Sequence, residues 1–111
     1  MTPKYVYIAS PFSIGNTAVN LRISIDAAER ILQAGHIPFA PLLSHVWDVV
    51  YHHDPEEWYQ FDLKWVEKCD CLIRLPGPSR GADLELARAI ELNLMVFYSV
   101  DNFVYMLGYN T

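Results

Sequence analysis

The period of the apolar positions changes several times along the chain and divides it into short elements. "KYVYIAS" (residues 4–10) is an almost unbroken β-rich run closed by Pro11, which predicts a strand buried on both faces. "PFSIGN" then carries turn residues, and Asn16 or Thr17 can cap a helix that reaches Gln33 and stops at Gly35. "HIPFA" (36–40) predicts a second short strand. The connection from Pro41 to Pro55, "PLLSHVWDVVYHHDP", is long and predicts a helical turn of its own. Asp54-Pro55-Glu56-Glu57 is a strong helix start, with proline and acids in the first turn, and the periodicity runs to Lys68. "DCLIRL" (70–75) predicts the third strand, "PGPSRG" a turn, residues 82–93 the third long helix and "MVFYSV" (95–100) the fourth strand. Asp101 is placed to cap a last helix, "NFVYML", that ends at Gly108.

Strand and helix therefore alternate from end to end. That order predicts an α/β fold, a flavodoxin-like or Rossmann-like three-layer sandwich with a parallel sheet of four to five strands. The 111 residues fit one domain, 1–111, without repeat, linker or low-complexity segment. Ligands of such sheets bind beyond the carboxyl ends of the strands. Here those ends lead into Ser10–Asn16, Pro41–Asp54 and Pro76–Gly81. Ser10, Pro11, Phe12, Ser13, His45, Ser79 and Gly81 are the substrate-contact candidates these segments supply. Trp58, on the helix after the second segment, and Asp83, on the helix after the third, join them.

Two carboxylates interrupt the helical patterns. On the helix 56–68, Trp58, Phe61, Trp65, Val66 and Cys69 form one apolar arc, and Asp62 falls inside it. A carboxylate there loses solvation unless it is paired, hydrogen-bonded or protonated. On 82–93, Arg88 and Glu91 mark the wet side, while Ala82, Leu86, Ala89, Ile90 and Leu92 mark the buried one. Glu85 and Asp83 sit at opposite edges of that buried side. Simpler readings stay open at this point: Asp83 answering the helix dipole, Glu85 pairing with Arg88, Asp62 accepting from a backbone donor. Two acids converging on one cleft suit glycosidic chemistry, in which one attacks or stabilises the anomeric carbon and the other protonates the leaving group.

Composition narrows the partners. The chain is 52% hydrophobic but only 19% charged, below the roughly 25% of an average globular protein. That deficit points to apolar surface covered by another copy of the chain, a homo-oligomer. A net charge of −5 without a Lys/Arg run argues against a nucleic-acid polymer as partner. No apolar run approaches the roughly 18 residues of a membrane span and no leader pattern opens the chain, so no membrane partner and a cytoplasmic location are expected. Cys69 and Cys71 flank Asp70 and read as small apolar residues at a strand start. His45, Asp48, His52, His53 and Asp54 match no standard metal spacing, so neither metal nor cofactor is expected.

Three stretches, "YVYIASPF", "DLKWVEKCDCLIRLPG" and "SRGADLELARA", resemble the nucleoside 2-deoxyribosyltransferase superfamily, which includes deoxynucleoside 5'-monophosphate N-glycosidases. The resemblance spans residues 5–98. It implies a flavodoxin-like oligomer that cleaves the N-glycosidic bond of a nucleoside or nucleotide. It further implies Glu85 as nucleophile, Asp62 as sugar or base contact and acid, Tyr7 as the hydroxyl orienting Glu85, and Ser79 as a sugar or phosphate donor. The turn after the first strand has no arginine, and Asp83 stands where the N-glycosidases often have glycine. Ser13, Arg80 and the backbone N–H groups at Gly81–Ala82 are the available phosphate donors. Nucleoside or 5'-monophosphate, hydrolysis or base transfer, stay open. Trp47, Tyr51, Trp58 and Phe12 are candidates for stacking on the base. Two other readings compete: a non-catalytic nucleotide-binding module of the same fold, and a structural interaction protein without a closed cleft.

Overall fold

The structure, a computed structural model, describes residues 2–108; position 1 and positions 109–111 of the 1–111 reading lie outside the described residues. Its strands are β1 (Tyr5–Ala9), β2 (Ile37–Phe39), β3 (Cys71–Arg74) and β4 (Met95–Phe97). They form one parallel sheet in the order β2-β1-β3-β4, with Tyr7 opposite Phe39 on one side and Leu72 on the other. The helices are α1 (Thr17–Gln33), α2 (Leu43–Val50), α3 (Pro55–Val66), α4 (Arg80–Glu91) and α5 (Val100–Leu107). This is the expected α/β architecture, with four strands.

Alternation along the strands sorts the core into two layers. Val6, Ile8, Cys71 and Ile73 point to one face, where Ala27 and Ile31 of α1 and Phe103 of α5 cover them. Tyr7, Ala9 and Leu72 point to the other, against Val66 of α3 and Ala82 and Ala89 of α4. Cys71 is part of the first layer, and both cysteines are free thiols. His36 fastens the end of the first layer. Its Nδ1 accepts from the Lys4 amide at 2.9 Å, which leaves the Nε2 proton for the Leu107 carbonyl.

Local chemistry explains the boundaries that differ from expectation. The fourth strand ends at Phe97, not at 100, because Ser99 caps α5 by accepting from the Asn102 amide at 3.0 Å. Asp101, expected as that cap, lies in the first turn and pairs with Arg30 at 2.7 Å. The third long helix begins at Arg80, not 82, because Ser79 accepts from the Ala82 amide at 3.1 Å. The connection after β2 contains a full eight-residue helix rather than one turn. Ile90, expected on the buried side, is exposed. The inward line of α4 is Ala82–Glu85–Ala89, and Ile90 stands about 100° from it. Among the described residues no helix is long and apolar enough to cross a membrane.

Candidate active site

The carboxyl ends of β1, β2 and β3 open on the same side, and a cleft of about 510 Å³ lies there. Ser10, Phe12 and Ser13 line it from the first strand end, and His45 from α2. Trp58 lines it from α3, and Ser79, Gly81 and Glu85 from the start of α4. The structure thus brings most of the sequence-derived candidates to one wall. Pro11 and Asp83 stand outside it. Pro11 is buried under the turn at Gly77, whose φ of +117° lets the backbone pass close to the proline ring. Asp83 points to solvent and accepts from Arg74 at 2.9 Å. Trp47 and Tyr51 do not line the cleft either.

Glu85 is the one carboxylate that reaches the cleft wall from the buried line of α4, and it is only 6% exposed. Register explains its partner. Tyr7 projects from β1 onto the face covered by α4, and its hydroxyl donates to Glu85 Oε2 at 2.6 Å. Asp62, 8% exposed, occupies the inward line of α3 together with Val66, while Phe61 and Trp65 sit at the half-open flank. Asp62 Oδ1 has no hydrogen-bond partner among the described residues. Neither Asp62 nor Tyr7 lines the cleft; both stand behind Glu85.

The electrostatics follow from burial. Desolvation pushes Glu85 up to about 8, opposed by the Tyr7 hydrogen bond and Arg74 and assisted by the charge of Asp62. Desolvation pushes Asp62 up to about 7. Burial, then the neighbouring carboxylates, drive the Tyr7 phenol far above its ordinary value, so it remains a donor. Burial thus disfavours the charged form of both carboxyls near neutrality, and at Glu85 the charge of Asp62 acts in the same direction. The Tyr7 hydroxyl favours the ionised form of Glu85 against its burial, and among the described residues nothing donates to Asp62 Oδ1.

The opposite wall is held by Asp48. Its Oδ1 accepts from the Trp58 indole N–H at 2.7 Å and from the His53 amide at 2.8 Å, and His52 Nδ1 lies 3.2 Å from Oδ2. The His53 amide and then the Trp58 indole lower Asp48 to about 2. Phe12 and His45 stack face to face, with centroids 3.6 Å apart. Burial holds His45 below its ordinary value, against the opposing charge of Asp48.

Sequence reasoning missed Ser44, Tyr59 and Arg74. Tyr59 lines the cleft, and the Arg80 guanidinium stands 5.3 Å from its ring centre. A Cβ at Gly81 would meet Tyr59 at 3.1 Å, so that glycine was the available signal. Arg74 is 11% exposed and donates to the Leu75 and Gly77 carbonyls and to Asp83, tying the turn before α4 to the strand. Nothing in "CLIRL" distinguishes it from a solvated strand end.

A family model described as a domain of unknown function (DUF7768) matches residues 4–99. No curated protein matches. Among solved structures, a "2-desoxiribosyltransferase from Leishmania mexicana" superposes with a TM-score of 0.62 at 19% identity, covering 85% of this chain. The chain spans 62% of that protein's length. At that identity the likeness is one of fold.

Proposed function

We propose that this chain, which belongs to the DUF7768 family, cleaves the N-glycosidic bond of a (deoxy)nucleoside or nucleoside 5'-monophosphate, with Glu85 as nucleophile. One observation carries the reading: a buried glutamate, gripped by a tyrosine hydroxyl and coupled to a second buried carboxyl, at the wall of the cleft where the strands end. The fold shared with a 2-desoxiribosyltransferase supports it.

In this reading the sugar sits with C1' toward Glu85. The C1'–N bond breaks with oxocarbenium character, and a Glu85 oxygen forms the C1'–O bond. The electron pair of the broken bond leaves on the base nitrogen, which takes a proton. Asp62 does not reach the cleft surface, so its placement supports a role as proton-holding neighbour of Glu85, with water delivering the proton to the base. Attack on the glycosyl ester by water yields free sugar; attack by a second base yields a new nucleoside. Ser10, Ser13, Ser79 and Arg80 are the hydroxyl and cationic donors available to the sugar or a 5'-phosphate. Trp58, held edge-on by Asp48, forms an apolar wall suited to a base.

The test is incubation with a panel of nucleosides and 5'-monophosphates, with and without an acceptor base, followed by chromatography for released base. Wild type should release base and Glu85→Ala should not. If both proteins bind a nucleotide equally and neither releases base, the chain is a non-catalytic nucleotide-binding module instead.

A further inference from the structure

The helix α2 turns Ser44, His45 and Asp48 toward the cleft, which leaves Trp47 and the exposed Val46 and Val50 on its other side. There Trp47 meets Trp58 and Phe61 of α3. The three rings stand close to right angles with one another, at 67°, 78° and 89°, with centres 5.4, 5.9 and 5.8 Å apart. Rings that merely filled the seam between two helices would close on one another. These leave a hollow of about 210 Å³ that all three line, together with Glu57 and His53. Trp47 is 39% exposed and Phe61 37%, so the hollow is open to solvent.

Its lining favours one sign of charge. It offers aromatic rings and a carboxylate and, among the described residues, no Lys or Arg. The Trp58 indole N–H donates to Asp48 Oδ1 at 2.7 Å, so the positive edge of that ring is committed to a carboxylate and its electron-rich faces remain for other partners. His53 Nδ1 lies 3.0 Å from Glu57 Oε2; as a neutral ring it donates there and orients the carboxylate without cancelling its charge. An anion is repelled by such a lining. A primary ammonium holds its water too strongly for a half-open apolar corner, and a planar guanidinium stacks on one face rather than filling three. A methylated ammonium fits: its charge is spread over methyl groups that shed water readily and pack on ring faces as apolar surface. A group seated against all three rings lies within the roughly 6 Å reach of a cation–π contact with each. The hollow is smaller than the roughly 300 Å³ of a pocket for a whole drug-sized ligand, and its size suits one such head group.

We propose that the hollow between α2 and α3 binds a quaternary ammonium group, held by Trp47, Trp58 and Phe61 and neutralised by Glu57. Trp58 and His53 also line the cleft, so the two sites share a wall. The inference rests on the rings and does not depend on the glycosidic reading.

The test titrates tetramethylammonium and choline into the full chain at about pH 8, where an ordinary histidine is neutral. Each should bind with a Kd of about a millimolar, and the N-methyl protons should move upfield in the NMR spectrum, as protons held over ring faces do. The compound 3,3-dimethylbutan-1-ol has the shape of choline without its charge and should bind at least about tenfold more weakly. Trp47→Leu and Phe61→Leu keep apolar volume and remove a ring; each should weaken choline binding at least about fivefold with unchanged circular dichroism. Glu57 is 62% exposed, so Glu57→Gln tests the site without disturbing the core, and it should weaken binding about two- to fivefold. A short peptide carrying Nε-trimethyllysine, compared with choline, separates a protein source of the group from a small-molecule one: the tighter binder identifies the source, and either supports the site. No saturable binding of any of these cations up to about 50 mM, or equal binding of choline and its uncharged analogue, overturns the proposal. So does choline binding that Trp47→Leu, Phe61→Leu and Glu57→Gln all leave at the wild-type value.

Discussion

Replacing Glu85 by glutamine should stabilise the protein, and the gain should depend on pH in a way that only a buried carboxylate produces. An ordinary glutamate titrates at 4.5; Glu85 in the folded chain titrates at about 8, chiefly because burial disfavours its charge. The unfolded chain thus loses this proton several pH units before the folded one. Between those values the folded state binds more protons, so wild-type stability falls as pH rises through that window. Below it the group is neutral in both states and costs nothing. Each unit of difference corresponds to about 1.4 kcal/mol, so the full linkage approaches 5 kcal/mol above the folded value. Relaxation and water entry soften the ionisation of buried groups, and about 2–4 kcal/mol is the realistic range. Glutamine keeps an acceptor for the Tyr7 hydroxyl and never ionises. Urea denaturation of wild type and Glu85→Gln should give curves that nearly coincide at pH 4.5. By pH 9 they should diverge by about 2–4 kcal/mol in favour of the variant. In the proposed reaction the same variant should lose base release by about a thousandfold or more. A stability difference that stays constant from pH 4.5 to 9 would refute the reasoning, since it would mean that Glu85 is solvated like any surface acid.

Three further outcomes follow from the geometry. Tyr7→Phe removes the hydroxyl that donates to Glu85 at 2.6 Å. Base release at neutral pH should fall on the order of a hundredfold, and the rising limb of its pH–rate profile should move to higher pH, because the donor that favours the ionised form is gone. Asp48→Ala frees the Trp58 indole and the His53 amide, so KM should rise about ten- to a hundredfold with a smaller change in kcat; Asp48→Asn, which keeps the accepting Oδ1, should restore most of the loss, and equal damage by both variants would show that the accepted hydrogen bonds are not what matters. Gly77→Ala forces a φ of +117° on a residue with a Cβ and sets that Cβ 2.9 Å from Pro11 Cγ, whereas Gly15→Ala at φ +87° meets nothing within 4 Å. The first should cost about 1–3 kcal/mol and clearly more than the second, read as a Tm lower by roughly 4–8 °C per kcal/mol.

Much of this arrangement is written in local patterns. Asn16, Pro55 and Gly35 mark helix ends that the structure keeps, because capping and backbone preference act within a few residues. Asp62 was legible from helical periodicity alone, since a carboxylate between Trp58 and Val66 cannot avoid the protein interior. Glu85 was less so: at the edge of its apolar side it reads equally well as a partner of Arg88. The structure gives Arg88 to Glu91 and Glu67 instead. The Tyr7 hydroxyl became visible only with sheet register, which turns residue 7 toward α4 and residues 6 and 8 away. The direction of α2 was beyond sequence reasoning altogether. Periodicity identifies an apolar stripe but does not say on which side of it the rest of the protein lies. The resemblance to nucleoside 2-deoxyribosyltransferases holds in the fold, where topology can be compared.

The distribution of polar groups between the two core layers links the stability argument to the chemical one. Among the described residues the layer under α1 and α5 carries no buried carboxyl: its buried polar groups are Ser24, bonded to the Ser10 hydroxyl, and a histidine with both ring nitrogens engaged at its end. The layer under α3 and α4 holds Tyr7, Asp62 and Glu85 within the same packing as Val66, Ala82 and Ala89. Among the described residues, neither Asp62 nor Glu85 has a cation within salt-bridge distance; Arg74, whose charge acts on Glu85, is committed to Asp83 and two carbonyls. A fold selected for stability alone would fill positions 62 and 85 with leucine or alanine. Keeping two acids there destabilises the chain most at the pH where both would ionise. In the proposed reaction that cost keeps an ionisable carboxyl, held by the Tyr7 hydroxyl, at the wall of the cleft.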